Sequence, residues 1–274
     1  MLDILGFKQK LIDAIADNTV ILPTLPEVAL KVREIAEQDK TTAVDLANII
    51  ATDAAISARL LQVANSPLYR ARSPIENIQM AVTRLGNKLV KSLVTTLAMK
   101  QIYQATSSSM EKRLRKVWED STQVAAVSKV LAQNLPQLEN EQAMLAGLIH
   151  NIGVLPILMM ADEIPECEDE KFLDSVLDAL YSEIGTIILD HWGFPEVLSS
   201  VPNDHADTYR TALGEVDYAD LVLVSRIQLG LDVIDDDNWS NISAFERVGL
   251  DTNVHIIDIE DTREEIEIVL QAIA

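Results

Sequence analysis

One cysteine is all that 274 residues contain, so no disulfide can form within the chain. Cys167 lies among acids in Pro165-Glu166-Cys167-Glu168-Asp169-Glu170, and this usage fits a reducing compartment, with the cytoplasm the expected location. No Cys pair with metal-ligand spacing, no Gly-rich phosphate loop and no nucleophile elbow occurs. Long apolar runs are also missing. The longest, Ile152–Ala161, is interrupted by Gly153 and Pro156 and is too short to span a bilayer. The start of the chain, Met1–Asn18, mixes Leu, Ile and Phe with Lys8, Lys10, Asp13 and Asp17, which reads as an amphipathic helix and not as a signal peptide. A soluble protein without membrane contact is the expectation. Basic residues are scarce too: 22 against 43 acidic ones, a net charge of −21. A chain so acidic is a poor general binder of nucleic acid, whose phosphates need clustered Lys and Arg.

Apolar residues, by contrast, make up 48% of the chain, with a mean hydropathy of +0.13, which excludes an acidic disordered segment. The charge is unevenly spread. Residues 1–134 carry 17 basic and 13 acidic side chains, 135–231 carry 3 and 18, and 232–274 carry 2 and 12. The stretch Arg70–Lys116 gathers ten basic residues against Glu76 and Glu111. Arg84, Lys88 and Lys91 of this stretch are the expected interaction surface, facing either the acidic half or a partner.

Apolar spacing is helical nearly throughout. Pro26 opens a helix with Val28, Ala29, Val32, Ile35 and Ala36 on one face. Helices follow over Thr42–Asp53, Ala54–Asn65 and Asn87–Gln104, the last with Leu89, Leu93 and Leu97 four apart. The polar stretch Thr106–Ser109 reads as a joint. Further helices are expected over Met110–Asn134, Glu141–His150, Phe172–Trp192 and Glu215–Leu229. Asp232–Ser240 reads as an acidic turn and Asn253–Ala274 as a final helix. No set of alternating strands competes, so the fold class is all-α.

Four histidines carry whatever imidazole chemistry exists. His150 ends a helix in Gly147-Leu148-Ile149-His150-Asn151-Ile152-Gly153. An adjacent His and Asp at such a place would signal a metal, but Asn151 is a neutral amide and a poor ligand for a dication. His205 lies in Pro202-Asn203-Asp204-His205-Ala206-Asp207, which reads as a solvated polar loop. His191 adjoins the helix stop Trp192-Gly193-Phe194-Pro195, and His255 sits in the tail with no evident partner.

Taken together, several stretches resemble the HDOD family, the HD-related output domains of bacterial signalling. They are Leu22-Pro23-Thr24-Leu25-Pro26, the run Ile50–Ser66, and Ala81-Val82-Thr83-Arg84-Leu85-Gly86. Downstream come Trp118 with Ser121 and Ala125, the segment Gly147–Gly153, Glu183-Ile184-Gly185 and Trp192-Gly193-Phe194-Pro195. The resemblance spans roughly residues 20–230. It implies an N-terminal helical subdomain packed on a degenerate HD-type helical core, followed by a C-terminal helical appendage. The corresponding boundaries are an amphipathic helix at 1–19, the HDOD domain at 20–231 (subdomains 20–109 and 110–231), and an acidic appendage at 232–274. The family's metal site carries over as vestiges: Asp120 and Tyr181 where HD enzymes have His, Asn151 in the doublet, then His150, Asp204, His205 and Asp220. The resemblance implies no catalytic residue and no cofactor, at most weak metal binding by His150, His205 and Asp220. The expected role is a non-catalytic regulatory module with a signalling protein, or a nucleotide, as partner. The competing expectation is a metal-dependent phosphohydrolase, which would need a divalent metal around His150.

Overall fold

A computed structural model describes residues 3–16, 25–36, 38, 41–69, 74–103, 110–211, 214–232 and 234–273. Among them there is no strand. The expected joint at Thr106–Ser109, the motif residues Leu22–Thr24, and the boundaries at 19 and 109 lie outside the described residues.

The N-terminal half comprises α1 (Ile4–Ala16), α2 (Glu27–Ala36), α3 (Ala43–Ile50), α4 (Ala54–Ala64), α5 (Ile78–Leu85) and α6 (Asn87–Tyr103). Their starts are written in the sequence. Thr42 and Asp45 form a reciprocal capping box before α3, Asp53 accepts from two amides at the start of α4, and Asn77 caps α5. Most of α6 is buried, from Val90 to Met99, because α2, α4, α5 and the following helical layer pack around it. The expected apolar stripe is therefore right at Leu93 and Leu97, while Leu89 is only half-buried at the edge.

The second half is built on α7 (Glu111–Ala132) and α8 (Asn140–Ile149), packed against each other. At Gly147 a methyl group would lie 2.4 Å from the Ala125 backbone, so only a glycine permits this approach. Helix α9 (Val154–Ala161) follows almost without a break. Pro156 does not end it, since at the third helical position its missing amide has no intrahelical acceptor to lose. Asn140–Ala161 is thus one stretch long and apolar enough to cross a membrane, but nearly all of its most apolar window is buried inside the protein. The chain continues through α10 (Glu170–His191), α11 (Glu196–Ser199), α12 (Val201–Ala206) and α13 (Tyr218–Gln228).

The appendage holds α14 (Ser243–Val248) and α15 (Glu260–Ile273), which packs on α7 and touches α4. The expected final helix starts at Glu260, seven residues later than its apolar pattern reads. His255 also differs from expectation, since its ring packs 4.8 Å from the indole of Trp239. One apolar core runs through both halves and the appendage. Arg33 pins the halves together: its guanidinium donates to the carbonyls of Trp192 and Gly193, each at 2.9 Å, and lies over the Phe194 ring.

Candidate functional site: a buried histidine pair beside an arginine

The turn after α8 delivers His150, and Gly153 lets that turn press against α10. A methyl group there would lie 2.1 Å from the Tyr181 carbonyl and 2.5 Å from the Gly185 amide nitrogen. The short helix α12 brings His205 to the same place, so His150 and His205 meet edge to face with ring centroids 5.1 Å apart. The reading of 202–207 as a solvated loop is corrected here. Pro202 sits in the first turn of a six-residue helix, and His205 is only 2% exposed.

Both imidazoles have their tautomer fixed by the backbone. His150 Nδ1 is 2.6 Å from the Gly147 carbonyl and His205 Nδ1 is 2.7 Å from the Val201 carbonyl. A carbonyl only accepts, so each Nδ1 carries the proton and each Nε2 presents a lone pair. This is how ligating histidines are oriented by their surroundings. The lone pairs are nevertheless taken. The Arg226 guanidinium donates to His150 Nε2 at 2.9 Å, and the Tyr181 hydroxyl lies 3.3 Å from His205 Nε2. Arg226 is itself gripped through two bonds by Asp232, at 2.9 and 2.6 Å.

Electrostatics keep this group neutral apart from that ion pair. Burial, then the positive Arg226, holds His150 well below the usual imidazole range. The same two causes push His205 down to about 3. Burial raises the Tyr181 hydroxyl, which stays protonated and able to donate.

The other family positions do different work. Asn151 is buried, and its Oδ1 accepts from Ser121 Oγ at 2.9 Å and from Tyr103 Oη at 3.2 Å, an amide used to tie α6, α7 and the α8 turn together. Asp120 pairs with Lys116 one turn earlier on α7. Asp204 stands half-buried on α12, within the field that raises Arg210. Asp220 is fully buried, but Arg247 takes both of its oxygens, at 2.8 and 2.5 Å, with Arg210 at 3.6 Å. It also completes a capping box with Asp217 at the start of α13. The expectation that Asp220 joins the histidines as a weak ligand does not fit this placement, because its charge is already balanced by two guanidinium groups. Arg226 and Asp232 were not singled out from the sequence. The available signal was a lone cation, two turns beyond Asp220, in the otherwise Leu- and Val-rich helix α13.

A dication is the group that HD-type sites imply, and the residues present do not suit one. Among the described residues no three His, Cys, Asp or Glu side chains converge. A guanidinium stands against the first imidazole, where a metal would meet a second positive charge at hydrogen-bond range.

Of the interaction residues expected from charge, Lys88 on α6 pairs with Glu139 at the head of α8, at 3.1 Å. Lys8–Glu183 and Arg113–Asp174 likewise join the early, more basic part to the acidic half. Lys91 is half-buried and Arg84 exposed.

The HDOD domain model matches residues 22–208. The structure resembles that of a protein from Shewanella amazonensis SB2B, provisionally named a metal-dependent phosphohydrolase. The TM-score is 0.83 and the identity 30%, over 98% of this chain and 99% of that one. An HDOD domain protein of unknown function from Geobacter sulfurreducens shares the fold with a TM-score of 0.68 and 19% identity, over 97% and 99% of the two chains. A Treponema pallidum (strain Nichols) protein without an assigned function is 23% identical in an alignment 235 residues long that covers 78% of this chain. The chain spans 44% of the length of that curated relative. An all-helical fold and a family match over residues 22–208 point one way: this chain belongs to the HDOD domain family, with a regulatory or HD-related role.

Proposed function

We propose that this chain is a non-catalytic regulatory module of bacterial cytoplasmic signal transduction, in which an eroded HD site has become structural. It acts by binding a signalling protein or a small ligand, and needs no metal. The observation that carries this reading is the hydrogen bond from the Arg226 guanidinium to His150 Nε2. That bond puts a fixed positive charge, neutralised by Asp232, on the lone pair a metal would need. Without a bridging carboxylate at Asn151, an HD-type centre also lacks its central anion.

A metal-dependent phosphohydrolase remains the competing reading, favoured by one observation: both imidazoles keep the backbone-fixed tautomer that ligation requires. Turnover separates the two. The purified protein is incubated with Mn2+, Fe2+ or Zn2+ and bis(p-nitrophenyl) phosphate, then with cyclic dinucleotides. The regulatory reading expects no hydrolysis above that of a His150→Ala variant. Hydrolysis that this variant abolishes overturns it.

A further inference from the structure

Between the two halves lies a cavity of about 480 Å³, within the range of small-molecule sites. Helices α2 and α6 form one side; the first turn of α8 and the Phe194–Leu198 turn form the other. None of the histidine-site residues lines it, so its chemistry is the same whether that pair is structural or metal-binding. Leu89, Leu145, Phe194 and Leu198 give it an apolar wall, the last three buried in the fold. Such a wall favours apolar surface and cannot replace the hydration of a charge.

The charged side chains around it are engaged within the protein. Glu141 pairs with Lys129 and accepts from the Tyr69 hydroxyl at 3.1 Å. Glu139 pairs with Lys88 at 3.1 Å and accepts from the Gln142 amide at 3.2 Å, at an edge where Lys88 is 85% exposed and water screens the pair. Arg33 donates to the Trp192 and Gly193 carbonyls and lies 3.8 Å from the centre of the Phe194 ring, and Lys91 is likewise engaged. A ligand charge would have to break one of these contacts to be matched; a neutral molecule breaks none. Two polar groups of the wall nevertheless have something to offer. Ser92 and Thr95, both buried on α6, donate their hydroxyl protons to the carbonyls of Glu141 at 3.1 Å and Lys91 at 2.8 Å. With those protons committed, each oxygen presents lone pairs alone, and its complement is a ligand donor.

We propose that this cavity binds a small neutral molecule, an apolar body carrying a hydroxyl, across the seam between the two halves. The body lies against Leu89, Leu145, Phe194 and Leu198, and the hydroxyl donates to Ser92 or Thr95. Such a molecule is the small ligand of the regulatory reading, on which its purpose rests, whereas binding at the cavity is measured apart from any hydrolysis at the histidine pair.

Isothermal titration calorimetry on the full chain tests it with pairs of isomers: 1-octanol against heptyl methyl ether, and 4-propylphenol against 4-ethylanisole. Within each pair only the alcohol can donate. Octanoate and 4-propylbenzoate are the charged counterparts. The expected result is one-to-one binding of at least one alcohol, about fivefold or more tighter than its ether isomer and than its carboxylate counterpart. Thr95→Val, which keeps the side-chain shape, or Ser92→Ala brings that alcohol to within about twofold of the ether without moving Tm by more than a few degrees. Leu89→Trp, which fills the space from its edge, blocks both. Four results overturn the proposal: neither alcohol binds saturably, the ether or the carboxylate binds as tightly as the alcohol, the alcohol keeps its advantage in both hydroxyl variants, or a folded Leu89→Trp variant binds unchanged. The hydroxyl variants, which leave the volume of the wall nearly as it is, serve as the test where the Leu89 variant does not fold.

Discussion

His150 and Arg226 face each other across 2.9 Å, imidazole lone pair to guanidinium, in the buried space that also holds His205 and Tyr181. The bond makes the pocket unsuited to a metal, because a cation already occupies the lone pair a metal would need. Arg226 supplies the positive charge that two buried lone pairs attract, and Asp232 balances it at the head of the appendage.

If Arg226 is the charge that holds this group together, it is energetically coupled to Asp232. Arg226→Met leaves Asp232 without its partner and His150 without a donor, and lowers stability by about 2–4 kcal/mol. Asp232→Asn costs less, since Asp232 is 27% exposed and water recovers part of the loss. A double-mutant cycle by urea unfolding should return a coupling of about 1–3 kcal/mol, with the double variant less damaged than the sum. Additive effects contradict the pairing.

Acid should loosen the fold through the histidine pair. A folded-state pKa below the unfolded one means the unfolded chain binds protons first, so stability is intact above pH 6.5 and is lost as pH falls toward the folded value. For His205, held down to about 3, the loss begins near pH 6.5 and reaches about 2 kcal/mol at pH 5. His150 shifts in the same direction and adds to it. Urea midpoints at pH 7 and pH 5 measure this, and His205→Leu should flatten the acid limb even where it lowers stability at pH 7. An acid limb that keeps its slope in that variant places the titration elsewhere.

Asp220 is expected to matter for folding and not for metal. Removing the charge of Arg247 by Arg247→Met strands a fully buried carboxylate with Arg210 alone at 3.6 Å, and costs about 2–4 kcal/mol. Asp220→Asn should destabilise by a similar amount and leave metal content unchanged, read by thermal melts beside elemental analysis.

Gly153→Ala tests the close approach that sets His150. With a methyl group placed 2.1 Å from the Tyr181 carbonyl, α10 or the α8 turn must move, and a loss of about 2 kcal/mol or more is expected. The His150 and His205 imidazole resonances in an NMR spectrum should shift with it, whereas Gly86→Ala, with nothing within 4 Å, should cost only the strain of its φ of 82° and leave them in place.

Much of the fold is legible because it follows local rules. The 3.6-residue spacing of apolar residues marks α2 to α4, α6 to α8, α10 and α13, and Thr42, Asp53 and Asn77 mark three of the starts. What escapes is set by long-range packing. His205 sits in a short helix too polar to show a period, and its burial comes from α10 and α13, not from its neighbours in sequence. The family resemblance assigns Asp220 to the metal site, but the spacing Asp217-x-x-Asp220 also spells a capping box, and the structure uses it so. Arg226 looks like an ordinary surface cation until the tertiary fold sets it between His150 and Asp232.

Whether Arg226 takes up the lone pair that a metal would otherwise use is decided by metal titration of two proteins. Mn2+ and Zn2+ are titrated into the wild-type chain and into the Arg226→Ala/Asn151→Asp variant, which frees the His150 lone pair and restores the carboxylate beside it. No stoichiometric, saturable binding to the wild type is expected, and the variant should bind at least about tenfold tighter. Stoichiometric binding by the wild type, lost in His150→Ala, would mean that Arg226 does not keep metal from the histidine pair.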